Sequence, residues 1–225
     1  MKNIIKSISE AKHIELVVEK DFLFVASALY TYILTLHKKV SLVCKSDDIG
    51  YKYAFLPWIE KVKRSDTPSA DVTIRLSVTS KELYLLFKQE DIKINKKIAI
   101  ALYAALVTDT DGFRNSRTDG MIFAMASELV KSGAEHSLVF KHLINHSSLG
   151  ALRLKSIILQ NMLLVDSAKV AILTISQEDL KVTGSTLDDA IKHMQEPFLL
   201  PYVEVVVLLD STNEYEMIKI INKDK

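Results

Sequence analysis

The chain has 225 residues, 48% hydrophobic and 25% charged, enough to bury the core of one large domain or two small ones. Its 29 Lys and Arg nearly cancel 28 Asp and Glu, which leaves no basic footprint for duplex DNA. The single Cys44 can form no internal disulfide and lacks the partners of a structural zinc site, so a reducing cytoplasm is the expected compartment.

Residues 3–10 can form a short amphipathic helix, too polar for the apolar region of a secretory signal. Residues 14–18 (Ile-Glu-Leu-Val-Val) read as a strand. The near-apolar run 22–36 is shorter than the roughly 20 residues of a membrane span. It predicts a buried helix continuing to about residue 38, and no membrane partner. Residues 40–44 give a second strand. Strand, helix, strand at this spacing is a βαβ unit with parallel strands and a right-handed crossover. The aromatic stretch 50–62 is ambiguous, because Pro57 interrupts it. Residues 71–78 form a third strand, 81–87 fit strand or helix, and 96–107 a helix.

Farther along, Thr118 has the character of an N-cap for a helix over 119–132, closed by Gly133. Helices are expected at 135–145 and 149–162, parted by the capping pair Ser147-Ser148. A strand at 169–175, a turn or helix from Ser176, a helix at 186–194, and strands at 202–209 and 214–221 paired as a hairpin complete the chain. The alternation of strand and helix changes character near 147–165, so we place a domain boundary there: residues 1–146 and 147–225. The class is α/β, a parallel-sheet domain followed by a small α+β domain.

Chemistry concentrates in 101–120, where an apolar helix stops at Thr108-Asp109-Thr110-Asp111-Gly112-Phe113 and a polar turn leads into the next helix. Open α/β folds place their sites where an apolar element ends. Asp109-Thr110, Phe113, Ser116, Thr118 and the later Glu128-Leu129-Val130-Lys131-Ser132-Gly133-Ala134 resemble the last metal-binding motif of the DHH phosphoesterases. These are two-domain enzymes that hydrolyse short oligonucleotides and 3′-phosphoadenosine 5′-phosphate. The order of elements is similar to that family from end to end: a DHH domain over 1–146, then a DHH-associated substrate domain, shortened at its C-terminus, over 147–225.

The resemblance implies two Mn²⁺ ions, held by several carboxylates and imidazoles so that a bound water attacks phosphorus. Few such ligands stand in this sequence. Matching Ala26-Ser27-Ala28-Leu29 to the family's Gly-Ser-Ala-Leu puts Val17 at the family's His, Asp21 at its first Asp and Leu23 at its second. Arg75-Leu76-Ser77 offers no carboxylate after the third strand. No histidine lies between residues 38 and 135, so the Asp-His-His signature is absent. No glycine follows Gly184, so the family's Gly-Gly-Gly-His phosphate grip is absent too.

The remaining candidate metal ligands are Asp109 and Asp21. Asp109 can equally be held for hydrogen bonds to turn amides. Arg114 and Arg117 can hold a phosphate bidentately or neutralise Asp109, Asp111 or Asp119. His142 and His146 share a helix face at zinc-like spacing, but two solvent-facing histidines are the simpler reading. Lys61, Lys63 and Arg64 near Trp58 fit a solvated loop beside a packed Trp better than a nucleic-acid platform.

The resulting expectation is a phosphoesterase-like protein with most metal ligands missing, used for binding or assembly, with no cofactor. The alternative is a weak Mn²⁺- or Mg²⁺-dependent phosphoesterase acting on a short oligonucleotide or nucleotide. Apolar surface on 22–36 and 51–58, and an unpaired sheet edge near 202–209, predict a homodimer or a heteromeric protein partner.

Overall fold

The computed structural model describes residues 2–46, 49–144 and 147–223. The chain divides into two compact units, Met1–His146 and Ser147–Lys225.

The first unit runs α1 (Lys2–Glu10), β1 (His13–Val18), α2 (Leu23–Thr35), β2 (Lys39–Val43), β3 (Val62–Lys63), β4 (Val72–Leu76), α3 (Ser80–Gln89), α4 (Lys96–Asp109), α5 (Gly120–Lys131) and α6 (His136–Leu143). Its sheet has the order β3-β2-β1-β4, all parallel, with Ile14 beside both Val40 and Val72. Period-2 alternation divides that sheet into two unlike faces. Ile14, Leu16, Leu42, Ile74 and Leu76 enter one hydrophobic core with α2, α3 and α4. Both α2 and α4 are apolar nearly all round and pack on each other, which is why their sequences show little amphipathic stripe.

The opposite face carries His13, Glu15 and Ser41, all buried and polar. The connection from β3 to β4 crosses this face without a helix, and its backbone needs partners. Thr67 donates its amide to Glu15, and the Thr73 hydroxyl bonds Glu15 at 3.0 Å. His13 Nδ1 lies 2.8 Å from the Ser69 carbonyl oxygen, so this nitrogen carries the donated proton. Asp71 then accepts the amides of Lys12 and His13 at 2.9 and 2.8 Å. Those two bonds hold its carboxyl below the usual range.

The region left open between strand and helix at 81–87 is helical. Thr79 and Glu82 form a capping box at its start. Thr118 is not an N-cap: Asp119 holds that position in α5 and accepts the Ile122 amide at 2.8 Å. The Thr118 hydroxyl oxygen is instead buried without a hydrogen-bond partner among the described residues. Gly133, at φ +100°, ends α5 where only glycine is unstrained.

The second unit runs α7 (Leu149–Gln160), β5 (Leu163–Val165), β6 (Val170–Ile175), α8 (Gln177–Thr183), α9 (Leu187–His193), β7 (Val205–Asp210) and β8 (Glu216–Asn222). Ser148, Ser176 and Thr186 cap its three helices. The sheet order is β5-β6-β7-β8. The β6–β7 pair is parallel and the two outer pairs antiparallel. One face, with Ala171, Leu173, Val206 and Leu208, packs into a core with Leu154, Ile158, Ala190 and Met194.

Two sequence expectations about exposed surface need correction. β7 is an inner strand, so 202–209 offers no free edge; the edges are β5 and β8. The helix expected to expose apolar surface is buried along most of its length, as are Tyr53 and Leu56. A row of open apolar surface lies instead on the second sheet, where Leu163, Ile172, Val207 and Ile220 stand side by side across four strands. Among the described residues no helix is long and apolar enough to cross a membrane.

Candidate functional site

The C-terminal end of α4 and the N-terminal ends of α3 and α5 meet around a cavity of about 380 Å³. Asp109 lines it. Its Oδ2 accepts the Ser80 amide at 2.9 Å and the Ser80 hydroxyl at 2.6 Å. Ser80 is the first residue of α3, whose amide has no partner within its own helix. Asp109 thus serves as an anion fixed at a helix N-terminus. The turn-holding alternative has the right kind of partner in the wrong place, since the amide belongs to a residue 29 positions upstream.

The turn after α4 is built by its neighbours. The Thr110 hydroxyl donates to the Leu106 carbonyl at 2.6 Å and accepts the Phe113 amide at 3.1 Å. Asn115 Nδ2 donates to the Asp109 carbonyl at 3.0 Å. Asp111, Gly112 and Phe113 all take positive φ, which turns the chain back so that Ser116 and Arg117 reach the cavity. Lys81 lies 3.6 Å from Asp119 across it. The Ile122 amide, assisted by Lys81, keeps the Asp119 carboxyl lowered.

The two candidate phosphate-binding arginines separate. Arg114 binds Asp111 through Nη2 at 3.1 Å and the Asp111 carbonyl through Nε at 3.0 Å, so it neutralises the turn. Arg117 lines the cavity, and its guanidinium makes no ion pair among the described residues.

Asp21 is exposed, in a short 3-10 turn after β1, and does not line the cavity that Asp109 lines. Its charge acts on Tyr53, whose phenol is raised first by burial and then by Asp21. His142 is not solvent-facing: its ring lies against Tyr51 and Phe55 at 4.7 and 4.9 Å. His146 lies outside the described residues. Among the described residues, no three His, Cys, Asp or Glu side chains are grouped so as to hold a metal ion. The donor set of the described residues therefore does not fit a two-metal centre.

Trp58 is packed, as expected. It donates to Thr31 at 3.1 Å and lies under the Lys97 ammonium at 3.7 Å from the ring centre.

A second crevice, about 430 Å³, opens at the carboxyl ends of the sheet. Val17 and Val18 line it from the end of β1, Arg75 and Leu76 from the end of β4, and Lys45 from just beyond β2. Val17 and Arg75 are paired neighbours on adjacent strands. The positions that the sequence comparison matched to a metal-binding His and to the end of the second metal motif do lie at the crevice, but they carry a valine and an arginine.

Ser80, Lys81 and Lys45 were not among the sequence candidates. The pattern Thr79-x-x-Glu82 carried a signal for the first two, because it fixes the start of α3 at Ser80.

No family model matches the sequence. Over 109 residues it is 30% identical to the bifunctional oligoribonuclease and PAP phosphatase NrnA of Bacillus subtilis (strain 168), a match covering 48% of this chain and 34% of that protein. The matched stretch is thus about a third of that curated relative's length. An exopolyphosphatase-related protein from Bacteroides fragilis superposes with a TM-score of 0.81 at 16% identity, over 100% of this chain and 83% of the other. The chain therefore has the α/β fold of that protein. A putative family II inorganic pyrophosphatase from Methanococcus jannaschii, at 16% identity, covers 88% of this chain but reaches a TM-score of only 0.33, too low to bear on the fold.

Proposed function

We propose that this chain is a non-catalytic relative of the DHH phosphoesterases that uses their scaffold for binding or assembly. The observation that carries the reading is the state of Asp109. Its carboxylate is engaged by the Ser80 amide and hydroxyl at the start of α3, with no grouped metal-ligating side chains among the described residues. A two-metal mechanism needs carboxylates and imidazoles converging on both ions, and one carboxylate committed to a helix does not supply them.

The partial match to NrnA favours a second reading, a weak Mn²⁺-dependent phosphoesterase for short oligonucleotides or a nucleotide phosphate. In that reading Asp109 and Asp21 would be ligands and Arg117 a phosphate contact. One assay separates the two. Purified protein is incubated with Mn²⁺ and either di- to pentanucleotides or 3′-phosphoadenosine 5′-phosphate. The first reading expects no release of mononucleotide or phosphate. Mn²⁺-dependent turnover that disappears in Asp109→Ala would establish the second.

A further inference from the structure

We propose that the crevice at the carboxyl ends of β1, β2 and β4 is a metal-independent site for a phosphate-bearing anion, held by Arg75 with Lys45. The proposal deepens the non-catalytic reading, on which it rests, by naming the ligand class and the residues that hold it.

Topology is the first support. β1 lies between β2 and β4, and the chain leaves β1 toward β2 and reaches β4 only after crossing the polar face. Strand order therefore reverses at β1, and open α/β sheets bind ligands in the crevice outside the carboxyl ends of strands at such a point. The crevice of about 430 Å³ is there, within the size range of small-molecule pockets.

Charge is the second support. Among the described residues, the crevice is lined by two cations, Lys45 and Arg75, and one carboxylate, Glu19. The Arg75 side chain makes no ion pair or hydrogen bond among the described residues. A guanidinium offers five donors in a planar fork that matches phosphate oxygens two at a time. Lys45 is tied to Asp66 at 3.0 Å, but both side chains are more than half exposed. Such surface pairs hold weakly, so the ammonium can turn to an anion in the crevice. Val17, Val18, Leu76 and Phe22 form the apolar wall, which lowers the local dielectric and strengthens the contact. Cations at a place suited to a bound phosphate do the neutralising that a divalent ion would otherwise do.

Chelator-treated protein titrated calorimetrically at constant ionic strength tests this, with inorganic phosphate in one series and adenosine 5′-monophosphate in another. Saturable binding without metal is expected. Arg75→Gln should weaken it about tenfold or more, the usual size for loss of charge-assisted bonds, and Lys45→Gln should weaken it less. Because Arg75 is exposed and unpartnered, Arg75→Gln should melt with the parent. Tighter binding of the nucleotide marks a phosphomonoester as the ligand, and equal binding marks free phosphate. The assignment is overturned by the absence of saturation with both probes, by affinity unchanged in Arg75→Gln, or by binding that requires Mn²⁺. Loss of binding in Arg117→Gln with Arg75→Gln unaffected would place the anion in the cavity beside Asp109 and overturn it as well. None of these readouts measures hydrolysis, so failure here is distinct from failure of the non-catalytic reading.

Discussion

The Asp109 carboxylate caps the first turn of α3 through both the amide and the hydroxyl of Ser80. A side chain that the sequence marks as a metal ligand is therefore a tie between two helices. Loss of a hydrogen bond to a charged group costs about 1.5–3 kcal/mol, and Ser80→Ala should destabilise the first unit by an amount of that order. Asp109→Asn should also lower the melting midpoint, since the amide keeps an acceptor but loses the charge. A stripped metal site would respond oppositely, because neutralising one of several repelling carboxylates stabilises the fold. Thermal melts of the two variants without metal distinguish the cases.

The start of α5 gives a second test. Asp119, not Thr118, accepts the Ile122 amide, while the Thr118 hydroxyl oxygen is buried and unpartnered. Asp119→Ala should lower the melting midpoint. Thr118→Val should leave it unchanged or raise it, because it removes an unsatisfied polar atom and keeps the shape. The reverse order of the two midpoints would restore Thr118 as the cap.

Much of this fold is legible in the sequence, and the illegible parts share a physical cause. The branched run 14–18 and the apolar run 22–36 announce β1 and α2 because each is stabilised by its own burial. The hairpin of β7 and β8 is legible because two strongly branched runs flank a short polar turn. By contrast, β3 is two residues long and β5 three, too short for any period to register. The polar face of the first sheet was not legible, since His13 and Glu15 answer to backbone atoms of Thr67 and Ser69 more than 50 positions away. The link between Asp109 and Ser80 was hidden for the same reason: its meaning depends on a partner distant in sequence. Arg75 was read only as a missing carboxylate, because its neighbours at the crevice come from three separate strands.

His193 should make the second unit sensitive to acid. Its Nε2 donates to the Ala151 carbonyl at 3.1 Å, which ties α9 to α7. Burial is the main cause lowering its pKa from 6.5, and Lys155 adds to it. The Ala151 bond, Glu196 and Asp189 oppose the shift. The unfolded chain therefore binds this proton at a higher pH than the folded one. Stability is full above about pH 6.5 and falls as pH drops through the lowered folded value, then levels off. Denaturant melts of the second unit between pH 7 and 5 should show this slope, and it should be absent in His193→Gln. An equal slope in the variant would assign it to other groups.

The open face of the second sheet supplies the reason to expect assembly. Leu163 and Ile220 are 59% and 50% exposed at opposite edges of one apolar row, and surfaces of this kind tend to be covered by a partner. Light scattering should report a homodimer or, from the native source, a stable heteromeric complex. Ile220→Lys should shift a homodimer toward monomer. A compact parent monomer at high concentration would count against assembly.

The most direct measurement of the central claim is the melting midpoint of chelator-treated protein with and without millimolar Mn²⁺. A ligand at about 100 times its dissociation constant stabilises the native state by roughly 2.7 kcal/mol, and each kcal/mol moves the midpoint of a chain this size by roughly 2–4 °C. An intact metal centre with micromolar affinity should therefore raise it by on the order of 5–10 °C. With Asp109 committed to Ser80 and Asp21 outside its cavity, the account predicts a change within about a degree or two. A rise of the larger size that vanishes in both Asp21→Asn and Asp109→Asn would contradict it, show that a metal site persists, and favour the metal-dependent phosphoesterase reading.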